Sequence, residues 1–592
     1  MALRSGILTV LTLAVPFIAP ATAQQGEIVG MVRDSNVPIP MRDSVVLMAD
    51  ILRPAGDGPF PVLVYRTPYD KQAAVEDYSI FRKAVERGYA VLIQDVRGRY
   101  ASAGEFDAYR QEGPDGYDTI EWAAVQPWST GNIGTFGLSY PGAVQWLAAV
   151  ESPPHLRAMV PAMTFATPRT FFYAGGVWDL SWISWTWFNI APDLRVRKGL
   201  PGPRTYEEAA EQWPRVRDEL LGYLPLRGLP ALKQAAPWYY RWLDHPPADP
   251  WWNWAELTGK YRRTGAAVLN ISGWHDEAYG PSGAIRNFKG LLTARQGRAA
   301  KTRMVIGPWA HGVGGMSRTT VGDRELGDNA AIDYDELVLR WMDRYVRGLE
   351  NGVDQEPRVQ VFVMGENRWI DATRWPLPGT QPRTFFLAGP DTTSPLGRLL
   401  PRANPDPEEF SIFESDPSSP VVDPHAESSG AHDYRSLLHR EDILTFETAP
   451  FEQELRVVGG IAADIYLAVD GQDTDLWVRV QDVAPDGTAY NLMNPGLDVL
   501  RASYRNQSRL PELLVPNRVY RLQLDNLLTG NLFRQGHRLR IQISTTFYPW
   551  FSRNLHSGDS EIFSNNIQPA RITIYHDRRR PSKIVVPVVG LN

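Results

Sequence analysis

The chain has 592 residues, too many for one hydrophobic core, and its length predicts roughly three or four domains. With 43% hydrophobic and 22% charged residues, 20 Trp and 24 Tyr, its composition is that of a folded globular protein and excludes long disordered tracts. The net charge of -6, spread over interspersed acidic and basic residues, leaves no basic surface for nucleic acid, and the lack of cysteine excludes disulfides, thiol chemistry and cysteine-based metal sites.

The N-terminus reads as a secretory leader: Arg4 gives a positive start, residues 7–19 are mostly apolar, and Ala21-Thr22-Ala23 is a small-residue cleavage site. Residues 1–23 are therefore expected to be a signal peptide cut after Ala23, which makes the mature protein secreted or periplasmic. No later stretch reaches the roughly 18 apolar residues of a membrane span. Over 24–166, apolar strands alternate with helical patterns, as in a mostly parallel sheet with helices on its faces. Residues 61–65 and 90–94 read as strands, and 79–87 as a helix closed by Gly88. Tyr117, Ile120 and Ala124 fall at helical spacing. The strand at 133–136 then runs into Gly134-Thr135-Phe136-Gly137-Leu138-Ser139-Tyr140-Pro141-Gly142, with a helix expected from near Gly142.

Residues 167–262 break the alternation with dense aromatics (Phe171, Phe172, Trp178, Trp182, Trp185, Trp187) and a helix-forming stretch at 206–212. They read as a helical cap inserted over the catalytic edge of the sheet, with Trp178, Trp182 and Tyr279 as candidate walls of a substrate pocket. The α/β pattern resumes over 263–352, with strands at 267–271 and 304–306 and a closing helix at 333–346. Over 353–592 short alternating strands, such as 358–363, 465–469, 476–480 and 539–544, are separated by turns like Pro485-Asp486-Gly487. This is the pattern of an all-β sandwich or jelly roll, with 389–427 as a long surface excursion.

The Ser139 turn joins strand to helix between glycines, a setting that exposes a serine hydroxyl beside free helix N–H groups. A serine needs a base, and the base an orienting acid. In the order found in α/β-hydrolases, Asp276 follows the strand at 267–271 and His311 follows that at 304–306, which makes Ser139, Asp276 and His311 the candidate catalytic set. His275 is the neighbouring alternative, read as a packing residue. A metal site from His275, Asp276 and His311 lacks any HExxH-like pair, so neither metal nor cofactor is expected. One oxyanion donor is the N–H of Tyr140. The other falls to the Tyr69 hydroxyl, because the loop 65–71 has no glycine run. Asp95 and Arg97 read as loop-fixing, and Gly312, Gly314 and Gly315 as loop flexibility.

Together, GLSYPG at Ser139, YRTPYDK at Tyr69, DVRGRYASAGEF from Asp95, GWHD ending at Asp276 and GPWAHG at His311 resemble the cocaine esterase family (CocE/NonD hydrolases). Its relatives are Xaa-Pro dipeptidyl-peptidases, α-amino acid ester hydrolases and glutaryl cephalosporin acylases. MGENRW from Met364, DTDLWVRVQDVAPDG from Asp473 and GHRLRIQIS from Gly536 extend the resemblance to the C-terminal part. It implies an α/β-hydrolase domain, a helical cap and a jelly roll, with Ser139 as nucleophile, His311 as base, Asp276 as its partner, and Tyr69 and the Tyr140 N–H as the oxyanion hole. Members that bind a free α-amine carry a carboxylate cluster, part of it just past the catalytic aspartate. Here Glu277 is followed by Ala278 and Tyr279. The expected activity is therefore hydrolysis of a small-molecule ester or acyl amide, with dipeptidyl-peptidase or α-amino acid ester hydrolase activity as the alternative, and a non-catalytic glycan-binding protein as the alternative of another class.

Overall fold

Ten strands form the central sheet of the computed structural model, which describes residues 30–295, 301–392, 395–493, 497–507 and 510–590. The expected leader at 1–23 lies outside the described residues. In chain order the strands are β1 (Met31–Pro40), β2 (Val46–Pro54), β3 (Phe60–Thr67), β4 (Ala90–Asp95), β5 (Ser129–Leu138), β6 (Leu156–Ala162), β7 (Ala267–His275), β8 (Thr302–Ala310), β9 (Val359–Val363) and β10 (Arg368–Ala372). Their spatial order is β1-β2-β4-β3-β5-β6-β7-β8-β9-β10. From β4 to β9 every pairing is parallel, while β1, β2 and β10 add antiparallel edges.

The parallel strands read as apolar runs because helices cover both their faces. All six residues of β4 and all nine of β7 are buried. Helices Ser79–Glu86 and Tyr334–Tyr345 cover one face, in a cluster with Phe81, Ile93, Phe136 and Trp341; Glu112–Ala124 and Tyr140–Ala149 cover the other, with Ile120, Ile133, Trp146 and Val64. Asp333 caps its helix by accepting from the Glu336 N–H at 3.0 Å, a local reason for the helix to start there. Between β6 and β7 the chain leaves the sheet for helices that include Ala191–Lys198, Tyr206–Gly222 and Pro237–Leu243. The helix expected at 206–212 thus runs ten residues further, to Gly222.

The C-terminal part is β-rich, with a twelve-stranded sheet between Gln381 and Val588. Two expectations change here. The strand expected at 358–363 forms, but as β9 it pairs parallel with β8, so the first sheet continues past residue 352. Without β9 and β10, β8 would present an unpaired edge. The stretch 389–427 is not a plain surface excursion either: Phe410–Ser415 pairs antiparallel with Ala570–Tyr575 along its whole length and forms an edge of the second sheet. Its Pro- and Asp-rich flanks mask a strand whose residues alternate between exposed and buried only at Phe413 and Ser415. No helix among the described residues is long and apolar enough to cross a membrane.

The β-rich part is fastened to the inserted helices. Leu226 and Arg227 donate to the Glu561 and Ile562 carbonyls at 3.0 and 2.9 Å, and Arg501 donates from its backbone to Gly175 at 2.9 Å. At this seam the buried Arg501 guanidinium bridges Asp475 at 2.8 Å and Glu561 at 2.7 Å. Removing the cation leaves two carboxylates out of water with no counter-charge. Arg501→Met is expected to lower stability by about 3–5 kcal/mol, read as a reduced urea midpoint; an unchanged midpoint contradicts this account of the seam.

Candidate active site

Ser139 sits where β5 ends and helix Tyr140–Ala149 begins, with φ 67° and ψ -126°. The helix starts at Tyr140, two residues before the glycine expected to open it, so Ser139 itself is the N-cap. Its left-handed backbone is clamped from both sides: its N–H donates to the Ala162 carbonyl at 3.1 Å and its carbonyl accepts from Ala143 at 2.9 Å. The turn closes only over small neighbours. A Cβ on Gly142 would stand 2.5 Å from the Ala162 carbonyl oxygen, and one on Gly137, at φ 144°, would stand 2.5 Å from Pro141. As the first residue of its helix, Tyr140 has an N–H with no intrahelical acceptor.

Asp276 and His311 come from the ends of β7 and β8, adjacent parallel strands, and their side chains meet at 2.7 Å, Asp276 Oδ1 to His311 Nδ1. Asp276 is further held by the Ala278 N–H at 3.3 Å. Burial disfavours a charged His311, but the Asp276 charge and hydrogen bond, with Glu277 adding to them, outweigh it and raise the imidazole pKa above its usual value. His311 and Ser139 line one cavity of about 420 Å³, together with Tyr69, Asn189, Val313 and Arg318.

His275, the neighbour of Asp276, points away into the protein. Its Nδ1 lies 3.0 Å from the Pro308 carbonyl and its Nε2 3.4 Å from that of Asn491, and burial pushes its pKa down to about 4. It is a packing residue. Gly312 donates to Met163 Sδ at 3.4 Å and leads into the short helix Val313–Met316, so that glycine stretch is ordered local structure rather than loose loop.

The Tyr69 loop is built by the DVRGRY segment. Asp95 accepts from the Lys71 N–H at 2.7 Å and pairs with Lys71 Nζ at 3.3 Å. Arg99, fully buried, donates to the Pro68 carbonyl at 2.9 Å and to the Ile190 and Asn189 carbonyls at 2.7 and 3.0 Å. Arg97 is loop-fixing as expected, through Asp115 at 2.6 Å and Asp43 at 2.8 Å. The Trp185 indole N–H donates to the Tyr69 hydroxyl at 3.0 Å. An indole can only donate, so the phenol oxygen accepts there and its own proton is free to point elsewhere. Burial pushes the Tyr69 phenol pKa up, outweighing the opposing pull of the Trp185 N–H, so the hydroxyl stays a protonated donor.

Comparison with known proteins places this geometry. The profile of the X-Pro dipeptidyl-peptidase (S15) family matches residues 43–313, and that of the X-Pro dipeptidyl-peptidase C-terminal non-catalytic domain matches 351–585. The cocaine esterase of Rhodococcus sp. (strain MB1 Bresler) is 32% identical over 582 residues, covering 94% of this chain and 98% of that protein. The chain belongs to the cocaine esterase (CocE/NonD) family of serine hydrolases. Two solved structures share the fold of this hydrolase. An aminopeptidase from a marine sediment archaeon (Thaumarchaeota) has a TM-score of 0.80 at 20% identity, covering 96% of this chain and 98% of its own. An α-amino acid ester hydrolase has a TM-score of 0.76 at 23% identity, covering 97% and 98%.

The pocket walls of the hydrolase differ from those expected. Trp178 is fully buried against Tyr173 and Tyr239, and Trp182 is buried among Phe171, Phe172 and Trp242 with its indole N–H on the Phe171 carbonyl at 3.3 Å. Both are core of the inserted segment, because an aromatic-rich helix cluster buries most of its rings against one another. Tyr279 does not line the Ser139–His311 cavity either, but it packs beside it: its ring stacks on His311 at 5.6 Å and on Phe171 at 4.8 Å, and its hydroxyl meets Tyr109 at 3.2 Å. Sequence reasoning named Trp185 only as one ring of the insertion and Arg99 only as part of a motif, and missed Tyr109 and Asn189. Tyr109, at φ 63°, had no local signal.

If the turn geometry depends on Gly142 as described, Gly142→Ala drives the helix away from β6. It is expected to lower stability by about 1–3 kcal/mol, read by thermal melting, and to depress activity beyond what that loss explains. A variant with the parent's melting temperature and rate contradicts the close-approach argument.

Proposed function

We propose that the hydrolase cleaves carboxylic ester or acyl-amide bonds through an acyl-enzyme on Ser139. The observation that carries this reading is the 2.7 Å Asp276–His311 hydrogen bond facing the same cavity as the strained Ser139 turn. His311 takes the Ser139 proton as the oxygen attacks the substrate carbonyl, and Asp276 stabilises the imidazolium that forms. The carbonyl oxygen, now an anion, accepts from the Tyr69 hydroxyl and the Tyr140 N–H. The tetrahedral adduct collapses, His311 protonates the departing alcohol or amine, and a water activated by His311 releases the acid and restores Ser139.

The substrate reading is a small ester or amide with no required α-amine. In support, Glu277, the carboxylate adjacent to Asp276, is committed to internal donors: its two oxygens accept from the His311 N–H at 3.0 Å and the Ser429 hydroxyl at 2.8 Å. The second reading, dipeptidyl-peptidase or amino acid ester hydrolase activity, is favoured by Asp77, which lines the cavity. Rates on paired esters with and without a free α-amine separate the two. The same proposal takes the inserted helices as a cap, the C-terminal part as a jelly roll, and the protein as secreted or periplasmic after cleavage behind Ala23. An intact mass starting at Gln24 checks the last point.

Ser139→Ala is expected to slow ester hydrolysis by about 10³-fold or more. Tyr69→Phe, which keeps the ring and removes the donor, is expected to lose about 10²-fold in kcat with little change in KM. Parent-like rates in the first variant overturn the nucleophile assignment; in the second they move the oxyanion donor elsewhere.

A further inference from the structure

Glu277 lies outside the three groups that perform the proposed reaction, yet it is wedged between the base and the C-terminal β-rich part. One carboxylate oxygen, Oε2, accepts from the backbone N–H of His311 at 3.0 Å; the other, Oε1, accepts from the Ser429 hydroxyl at 2.8 Å. Ser429 belongs to a stretch that is itself pinned to the loop after β8. Asp323 donates from its backbone to the Ala431 carbonyl at 2.8 Å, Ala431 donates to the Val321 carbonyl at 3.3 Å, and Asn491 holds the Gly430 carbonyl at 3.0 Å. Behind Ser429, His432 reaches its carbonyl at 3.2 Å and Asp323 at 2.9 Å. The serine is therefore presented to Glu277 by a fixed frame spanning both sheets.

We propose that Glu277 is a positioning residue through which the C-terminal β-rich part, by way of Ser429, sets the orientation and basicity of His311. This rests on the reading of His311 as the general base. A carboxylate that bound a substrate ammonium would leave an oxygen facing the cavity; both oxygens of Glu277 instead face protein donors. A plain loop staple needs no charge, since a neutral amide or hydroxyl oxygen also accepts a backbone N–H. Glu277 differs by placing a second anion beside the imidazole: Asp276 acts on the ring through Nδ1, and Glu277 acts through the main chain and through space. Both favour the imidazolium against burial, and burial in turn pushes the Glu277 carboxyl pKa up, opposed by the His311 charge and N–H. The hydroxyl of Ser429 donates to the carboxylate and so favours its charged form. The other titratable or charged groups facing His311 are the Tyr279 ring stacked on it and the Tyr65, Tyr69, Tyr78, Asp77, Asp335 and Arg318 side chains that line the same cavity. These are common to every variant compared below, so differences between variants isolate Glu277.

The test is the pH dependence of kcat and kcat/KM for p-nitrophenyl acetate in the full-length parent, Glu277→Gln and Ser429→Ala, with fluorophosphonate labelling of Ser139 measured on the same samples. The sign follows from the charges: a nearby anion raises the pKa of the base, so its removal lowers it, and the acidic limb of kcat/KM moves to lower pH. Glu277→Gln, nearly isosteric, is expected to show that shift together with an about 10-fold fall in kcat and little change in KM. Ser429→Ala should move the limb in the same direction by less, and it keeps the proposal testable should the Gln variant fold poorly. A limb that stays at the parent's position in both variants overturns the proposal, whatever happens to stability or to kcat, because a purely structural role can lower both of those but does not move the limb. Should the parent itself resist labelling at Ser139, the proposed reaction fails instead; a labelled parent with unmoved limbs sinks only the role given to Glu277.

Discussion

Everything at this site hangs on one left-handed residue. A non-glycine backbone at φ 67° costs of order 1–3 kcal/mol and persists only when its surroundings over-determine it. Here they do: β6 receives the Ser139 N–H through Ala162, the helix receives its carbonyl through Ala143, and Gly137 and Gly142 admit backbone where any side chain would collide. Because β5 lies inside a sheet whose parallel strands are buried on both faces, the turn cannot relax without parting β5 from β6. The hydroxyl is thereby held at the end of the sheet where β7 and β8 also finish. Asp276 and His311 reach the same place because they stand at corresponding ends of adjacent parallel strands.

A second layer of constraint fixes the two groups proposed to stabilise charge. Arg99 ties the carbonyl before Tyr69 to two carbonyls of the inserted helices, so the phenol loop and the insertion move as one unit. Trp185, from that insertion, occupies the lone pair of the Tyr69 oxygen and leaves its proton free for the site. Tyr140 is anchored at its other end: its hydroxyl donates to Glu112 at 2.8 Å and accepts from the Tyr109 N–H at 2.9 Å, while Glu112 pairs with the buried Arg66 at 2.8 Å. The inserted segment, through Trp185 and Asn189, thus takes part in the site itself. It sets the direction of a hydrogen-bond donor.

Most of this was legible in the sequence where the signal is local. Apolar strands with a glycine-bracketed serine, and an aspartate and a histidine each just past a strand, announce themselves within a few residues. What could not be read depended on contacts between distant segments. Trp178 and Trp182 look no different in sequence from Trp185, yet only Trp185 touches the Tyr69 loop, and the packing of the inserted helices alone decides which. The strand at Phe410–Ser415 was hidden because its partner at Ala570–Tyr575 lies far along the chain and its flanks are turn-rich. Likewise, β9 read as the start of the β-rich part, since nothing local tells a strand which sheet it will join. Glu277 shows the same limit: its neighbour Asp276 was found by order and spacing, but its bond to Ser429 crosses 152 positions.

The central claim is spatial, that Ser139, His311, Tyr69 and the Tyr140 N–H surround one reacting carbonyl. The crystal structure of the fluorophosphonate adduct measures it most directly. The account predicts phosphorus bonded to Ser139 Oγ, with the phosphoryl oxygen about 3 Å from both the Tyr69 hydroxyl and the Tyr140 nitrogen. Phosphorus on any other residue, or that oxygen turned away from both donors, contradicts it.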